Sequence, residues 1–336
     1  MRVVITGGAG FIGSHLSDYF LAKGHAVIAI DNLLTGDLRN IEHLFGHSRF
    51  SFIRHDVTNY VHVPGPVDAV LHFASPASPV DYLEFPIPTL KVGALGTHKA
   101  LGLAKEKKAT FLIASTSEVY GKSDKVPFHE DADLVLGATT MSRWSYAASK
   151  ALDEFLALSY WKERKQPVIV VRLFNTVGPR QIGRYGMVLP NFVRQALDGA
   201  PITIFGTGLQ SRCFCDVRDT IESILRLVGT ESAVGEVINV GSDEEISIEG
   251  LARVVKKRTN SESAITYIPY DQAYEPGFED MQRRVPALTK LQKLTGFRPA
   301  TPLTEIVDRV VAHFQEKAGK ELPAAATRSS SATASV

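Results

Sequence analysis

The chain has 336 residues, enough for one large or two modest domains with a substantial core. Its 37 Lys and Arg balance 36 Asp and Glu to a net charge of +1, which gives a polyanion such as nucleic acid no footing as main partner. Cys213 and Cys215 are too few for a disulfide framework or a zinc site, and no apolar run reaches membrane-spanning length.

Taken in order, the chain opens with MRVVITGG, which enters a strand at once. This predicts no signal peptide and a soluble cytoplasmic protein. Buried-strand runs follow at Val3–Thr6, Ala26–Ile30, Phe50–Ile53, Ala69–Phe73, Thr110–Ala114 and Val168–Leu173. Helical stretches lie between them, among them His15–Lys23, closed by Gly24, and Tyr146–Lys165. This alternation over 1–175 predicts an α/β fold with a doubly wound parallel sheet. After about residue 176 the pattern loosens, with more Pro and Gly, and predicts a smaller domain over 176–315 interleaved with the first. Cys213 and Cys215 fall there; in one strand they would share a face as small buried residues. Residues 323–336 are low in complexity and read as a disordered tail.

The first strand runs into Gly7, Gly10 and Gly13, spaced G-x-x-G-x-x-G, and then a helix. Such glycines bend the turn and let a pyrophosphate approach the helix N-terminus. Asp31 ends the second strand, where a carboxylate suits an adenosine ribose diol and repels a 2′-phosphate. The pattern is that of a Rossmann-type unit and favours NAD over NADP. Phe11, Ile12, Asn32 and Thr35 belong to the same turns. Asp56 and Val57 would flank the adenine, and Phe73, Ala74 and Ser75 the nicotinamide side, since ligands collect at the carboxyl ends of the strands.

Tyr146 and Lys150 stand four apart on a predicted helix and so point the same way. A free phenol is too weakly acidic to act as a base near neutrality, and a neighbouring ammonium stabilises the phenolate. Together these residues resemble the extended short-chain dehydrogenase/reductase superfamily over about residues 1–315. The resemblance implies that Thr116, Tyr146 and Lys150 form the hydride-transfer set, with Thr116 on the reacting oxygen. It implies nucleotide-linked sugars as substrates, gripped in part by the segment Pro201–Arg212. It also implies a homodimer through helices at about Pro88–Lys107 and Tyr146–Lys165.

The end of the fifth strand reads Thr116-Ser117-Glu118. The dTDP-glucose 4,6-dehydratases carry Asp at the Ser117 position, and a hydroxyl is a poor general acid. Simple 4-epimerases generally lack the Glu. Thr-Ser-Glu is shared by UDP-glucuronate decarboxylases and GDP-mannose 4,6-dehydratases. Ser75–Tyr82, SPASPVDY, is similar to the UDP-xylose synthases. The Arg143-Trp144-x-Tyr146 segment and Ser211–Arg218 are similar to the decarboxylase domain that opens aminoarabinose synthesis, and Arg284, in an Arg-x-Pro element, matches both. The resemblance thus implies NAD-dependent decarboxylation of UDP-glucuronate to UDP-xylose or its 4-keto pentose. A 4,6-dehydratase or 4-epimerase on the same scaffold is the alternative; retention of Thr116, Tyr146 and Lys150 argues against a non-catalytic regulator. Ser78, Tyr82, Asn175, Phe205, Gln210, Arg212 and Arg284 are the expected substrate contacts. Glu118 is expected to serve C5, sharing a cleft with Thr116 while Ser117 faces away on a regular strand. Three departures stand out: Val92-Gly93 where xylose synthases have Thr-Asn, Met187 where they have Arg, and Ala147-Ala148-Ser149 where they have Asp-Glu-Gly.

Overall fold

The computed structural model describes residues 1–181, 187–273 and 281–321. The expected tail at 323–336 lies outside the described residues. All six expected strands form: β1 (Arg2–Thr6), β2 (Ala26–Asp31), β3 (Phe50–Arg54), β4 (Ala69–His72), β5 (Thr110–Thr116) and β6 (Val168–Leu173). A seventh, Val237–Val240, joins β6, giving the order Val237–Val240, β6, β5, β4, β1, β2, β3, with every neighbouring pair parallel. The sheet is Rossmann-like, with helices on both faces.

The central strands are buried on both faces, which is why they read as unbroken apolar runs. On one face Val3, Ile5 and Leu71 pack against Leu16 and Phe20 of helix α1 (Phe11–Ala22). On the other, Val4, Val70 and Phe111 pack against Leu101 and Ala104 of the helix Thr97–Lys107. Burying a side chain such as Phe111 contributes roughly 1.5–3 kcal/mol.

A third core gathers Phe192, Leu251 and Ile306 from the helices Val188–Leu197, Ile248–Thr259 and Leu303–Glu321. It covers Ile202–Phe205, paired parallel with Ile265–Ile268. Between these pieces the chain returns to the sheet: Ile221, Ile224 and Leu227 of the helix Val217–Val228 enter the first core, and Val237–Val240 extends the sheet. Cys213 and Cys215 do not share a strand. Cys213 ends Ser211–Cys213 and Cys215 begins Cys215–Asp216. Both are buried free thiols, and burial pushes each up to about 12. The strand order reverses at β1, and the crevice outside the strands' carboxyl ends is where ligands bind in such sheets.

Candidate active site

One continuous cleft of about 670 Å³ opens along those carboxyl ends. Its β1 end is shaped by backbone. Gly7 has φ +70°, and a Cβ there would lie 2.7 Å from the Phe73 carbonyl carbon. A Cβ on Gly13 would lie 2.1 Å from the Gly7 oxygen, so turn and helix approach more closely than any side chain permits. Asp31 closes this cradle. Its carboxylate accepts from the Ala9 amide at 3.0 Å and the Leu33 amide at 2.8 Å. Burial raises its pKa and those two bonds oppose the rise. Asp56 accepts from the Thr58 amide (2.9 Å), the Thr58 hydroxyl (2.8 Å) and Asn32 Nδ2 (3.2 Å). Gly10, Phe11, Ile12, Thr35 and Val57 line the same end, and Phe73, Ala74 and Ser75 border its middle. A side-chain-free cradle followed by a fixed buried carboxylate fits a dinucleotide whose adenosine ribose keeps both hydroxyls.

The middle of the cleft is built by the helix Arg143–Arg164. Arg143, Tyr146, Lys150 and Asp153 lie three, four and three residues apart, one stripe of the helix, and all four are buried. Tyr146 lines the cleft opposite the Thr116 side chain at the end of β5, close enough for Thr116 to act on the phenol. Burial raises the Tyr146 pKa most, the Glu118 carboxylate raises it further, and the Thr116 side chain opposes them. Lys150 Nζ donates to Asp153 Oδ2 at 3.0 Å. Glu118 is ion-paired with Arg143 through one carboxylate oxygen, and Arg284 Nη1 stands 3.8 Å from the other.

Two expectations are corrected here. The strand does not continue regularly past Thr116; Ser117–Tyr120 forms a 3₁₀ turn, capped by Thr116 Oγ1 accepting from the Glu118 amide at 3.2 Å. The turn brings Ser117 into the cleft beside Glu118, where Arg284 Nη1 donates to its Oγ at 3.5 Å. Tyr82 does not line the cleft. It is fully buried behind Tyr146, rings stacked at 5.0 Å and 3°, with its hydroxyl accepting from Arg143 Nη1 at 2.9 Å. It therefore supports the catalytic helix. Arg143 and Asp153 were not among the expected site residues, although their spacing from Tyr146 and Lys150 carried the signal.

Ser78, Asn175, Phe205, Gln210, Arg212 and Arg284 also line the cleft. Asn175 donates to the Cys213 carbonyl (2.9 Å), and Gln210 to Phe205 O (2.9 Å) and Tyr270 Oη (3.1 Å), which fixes the wall. Met187 lines it too, with its sulfur 3.5 Å from Gln181 Nε2. Two of the departures meet in one contact: a Cβ on Gly93 would lie 2.0 Å from Ser149 Oγ. The small residue at 93 leaves room for the larger one at 149.

The family described as GDP-mannose 4,6-dehydratase matches residues 4–310. The chain is 39% identical to a UDP-glucuronic acid decarboxylase 1 of Xenopus tropicalis, over 94% of this chain and 72% of that one. It is 38% identical to a UDP-N-acetyl-α-D-glucosaminuronate decarboxylase of Bacillus cytotoxicus, over 94% and 98%. Among solved structures, the UDP-glucuronic acid 4-epimerase of Bacillus cereus, in complex with UDP-glucuronic acid and NAD, superposes with a TM-score of 0.82 at 26% identity, over 94% and 100%.

Proposed function

Because this chain belongs to the GDP-mannose 4,6-dehydratase family and is akin to its uronic acid decarboxylases, we propose that it converts UDP-glucuronate to UDP-xylose and CO₂. The observation that carries this reading is the meeting of Thr116, Tyr146 and Glu118 with the guanidinium groups of Arg143 and Arg284 in one cleft. Guanidinium forks suit carboxylates, which a uronate brings to C6 and a neutral hexose does not. That contrast disfavours the dehydratase and neutral-sugar epimerase alternatives.

The glycine cradle, Asp31 and Asp56 would hold NAD, which when bound supplies a reversible two-electron oxidation at C4. Tyr146 accepts the C4 hydroxyl proton while Thr116 holds the oxygen and Lys150 stands beside the phenol. A C4 ketone lies β to the C6 carboxylate, so the C5–C6 bond can break with its electron pair entering a C4 enolate as CO₂ leaves. C5 then takes a proton, in a position that Glu118 and Arg284 flank. Tyr146 returns its own proton to the C4 oxygen; departure before that step leaves the 4-keto pentose. Residues 1–175 form the NAD side in this reading, and 176–315 the nucleotide side, with Phe205, Gln210 and Arg212 at the UDP.

Incubation with UDP-glucuronate and catalytic NAD, followed by NMR, is expected to give a pentose-linked product; a product that keeps C6 rejects the reaction. UDP-N-acetylglucosaminuronate is the competitor to include, and faster turnover of it would reassign the substrate while leaving the chemistry. Asp31→Ala is expected to weaken NAD by about tenfold or more, the scale of a lost hydrogen bond to a charged group. Sugar affinity should change far less. An unchanged NAD dissociation constant in a fluorescence titration rejects Asp31 as the ribose ligand.

A homodimer and a cytoplasmic location complete the proposal. Leu95, Leu152 and Phe155 are exposed on neighbouring helices, an apolar face of the kind two copies cover. Light scattering should give twice the chain mass, and a monomer at micromolar concentration rejects the pairing. No helix among the described residues is long and apolar enough to cross a membrane. The two free buried thiols suit a reducing compartment.

A further inference from the structure

Asp153 is a buried charge beside the catalytic pair that the reaction above does not use. Asp153 is fully buried, and its carboxylate has two partners: Lys150 Nζ at 3.0 Å on Oδ2 and Thr97 Oγ1 at 2.5 Å on Oδ1. A carboxylate so far from water persists only where such partners hold it. The pair does little for the fold. Lys150 and Asp153 sit three residues apart on one helix, which its apolar face already fixes. Thr97, from a different helix, anchors the carboxylate from below. An ammonium has three donors, and Asp153 occupies one, which leaves the others to face the cleft that Lys150 lines.

We propose that Asp153, seated on Thr97, is a positioning residue for Lys150: it fixes where the ammonium sits and balances its charge, so that Tyr146 answers to the Lys150–Asp153 pair instead of to a bare cation. This deepens, and rests on, the reading of Tyr146 and Lys150 as the proton-transfer pair. Several other groups surround it. Glu154, on the same helix, is tied to Arg172 and Ser115. His72, from β4, is bonded to Thr6 at 2.7 Å; burial, and then Lys150, push its imidazole down to about 3, so it stays neutral. Glu118 and Arg143 lie on the other side of Tyr146. Burial is the main reason Tyr146 keeps its proton, and the negative charges of Glu118 and Asp153 act in the same direction. Removing the Asp153 charge therefore lets the phenol ionise at lower pH.

Asp153→Asn keeps the shape and removes the charge. In the holoenzyme without sugar, ultraviolet difference titration against Tyr146→Phe in the same background reads the Tyr146 phenolate directly. Its midpoint is expected to fall by about one pH unit, the scale of a nearby charge at intermediate dielectric. The acid limb of kcat/KM should move with it. Thr97→Val deletes the anchoring hydroxyl at nearly constant volume; it should shift both readouts the same way by a smaller amount, and it decides the matter alone if the Asn variant does not fold. Midpoints that stay put or rise overturn the proposal. Failure of the underlying reading looks different, because Tyr146→Phe would then keep its turnover.

Discussion

Tyr146→Phe is expected to lower CO₂ release from UDP-glucuronate by about 10³–10⁴-fold, the upper range for loss of a general acid/base, with folding and NAD binding near wild type. The structure separates these effects. The phenyl ring keeps its stack on Tyr82 at 5.0 Å, so the packing that seats the helix survives. What is lost is the hydroxyl that stands by Thr116 and would take the C4 proton. Burial, and then Glu118, raise the phenol's pKa, so the basic form grows as pH rises and kcat/KM should climb from acid toward alkaline pH. A protein that used this fold only to sense NAD would show no such dependence. A Phe variant within tenfold of wild type would remove Tyr146 from the mechanism.

How far the sequence carried depended on whether a feature was local. The strands were legible because burial on both faces demands continuous apolar runs, as in Val3-Val4-Ile5 and Ala69-Val70-Leu71. The glycine cradle and Asp31 were legible because backbone proximity and a strand-end carboxylate leave spacing signatures. Ser117 was misread because its direction depends on where β5 stops, and the Thr116 cap that ends it is a feature of local geometry, not composition. Tyr82 was misread because a conspicuous Tyr near a site can equally be a supporting ring, and only the stack on Tyr146 distinguishes them. The third core was hidden because its helices are far apart in sequence and the chain returns to the sheet between them. Arg143 and Asp153 could have been found: extending the Tyr146–Lys150 spacing by one step in each direction places four polar residues on one helical stripe. Their burial turns that stripe from a solvated face into part of the site.

Glu118→Gln is expected to lower CO₂ release by at least about a hundredfold, and the structure sharpens what that loss would mean. Glu118 does not stand as a lone base. Arg143 holds one of its oxygens and Arg284 stands 3.8 Å from the other, so the carboxylate both orders two guanidinium groups and lines the cleft in which the proposed reaction would seat the sugar. Gln keeps the shape but removes the charge, leaving Arg143 beside a neutral amide. Breaking a buried pair this way typically costs about 3–5 kcal/mol, so a lower melting temperature is expected as well, and turnover should be measured well below it. Glu118→Asp separates charge from reach. It keeps the negative charge for Arg143 and draws the carboxylate back toward β5. If Glu118 serves C5, Asp should also lose turnover, by about tenfold or more, since misplacing a catalytic group by about 1 Å can cost on the order of a hundredfold. If Glu118 is only the counter-ion of Arg143, Asp should work nearly as well as Glu while Gln fails. A Gln variant that releases CO₂ at close to the wild-type rate would leave Glu118 as a turn carboxylate and nothing more.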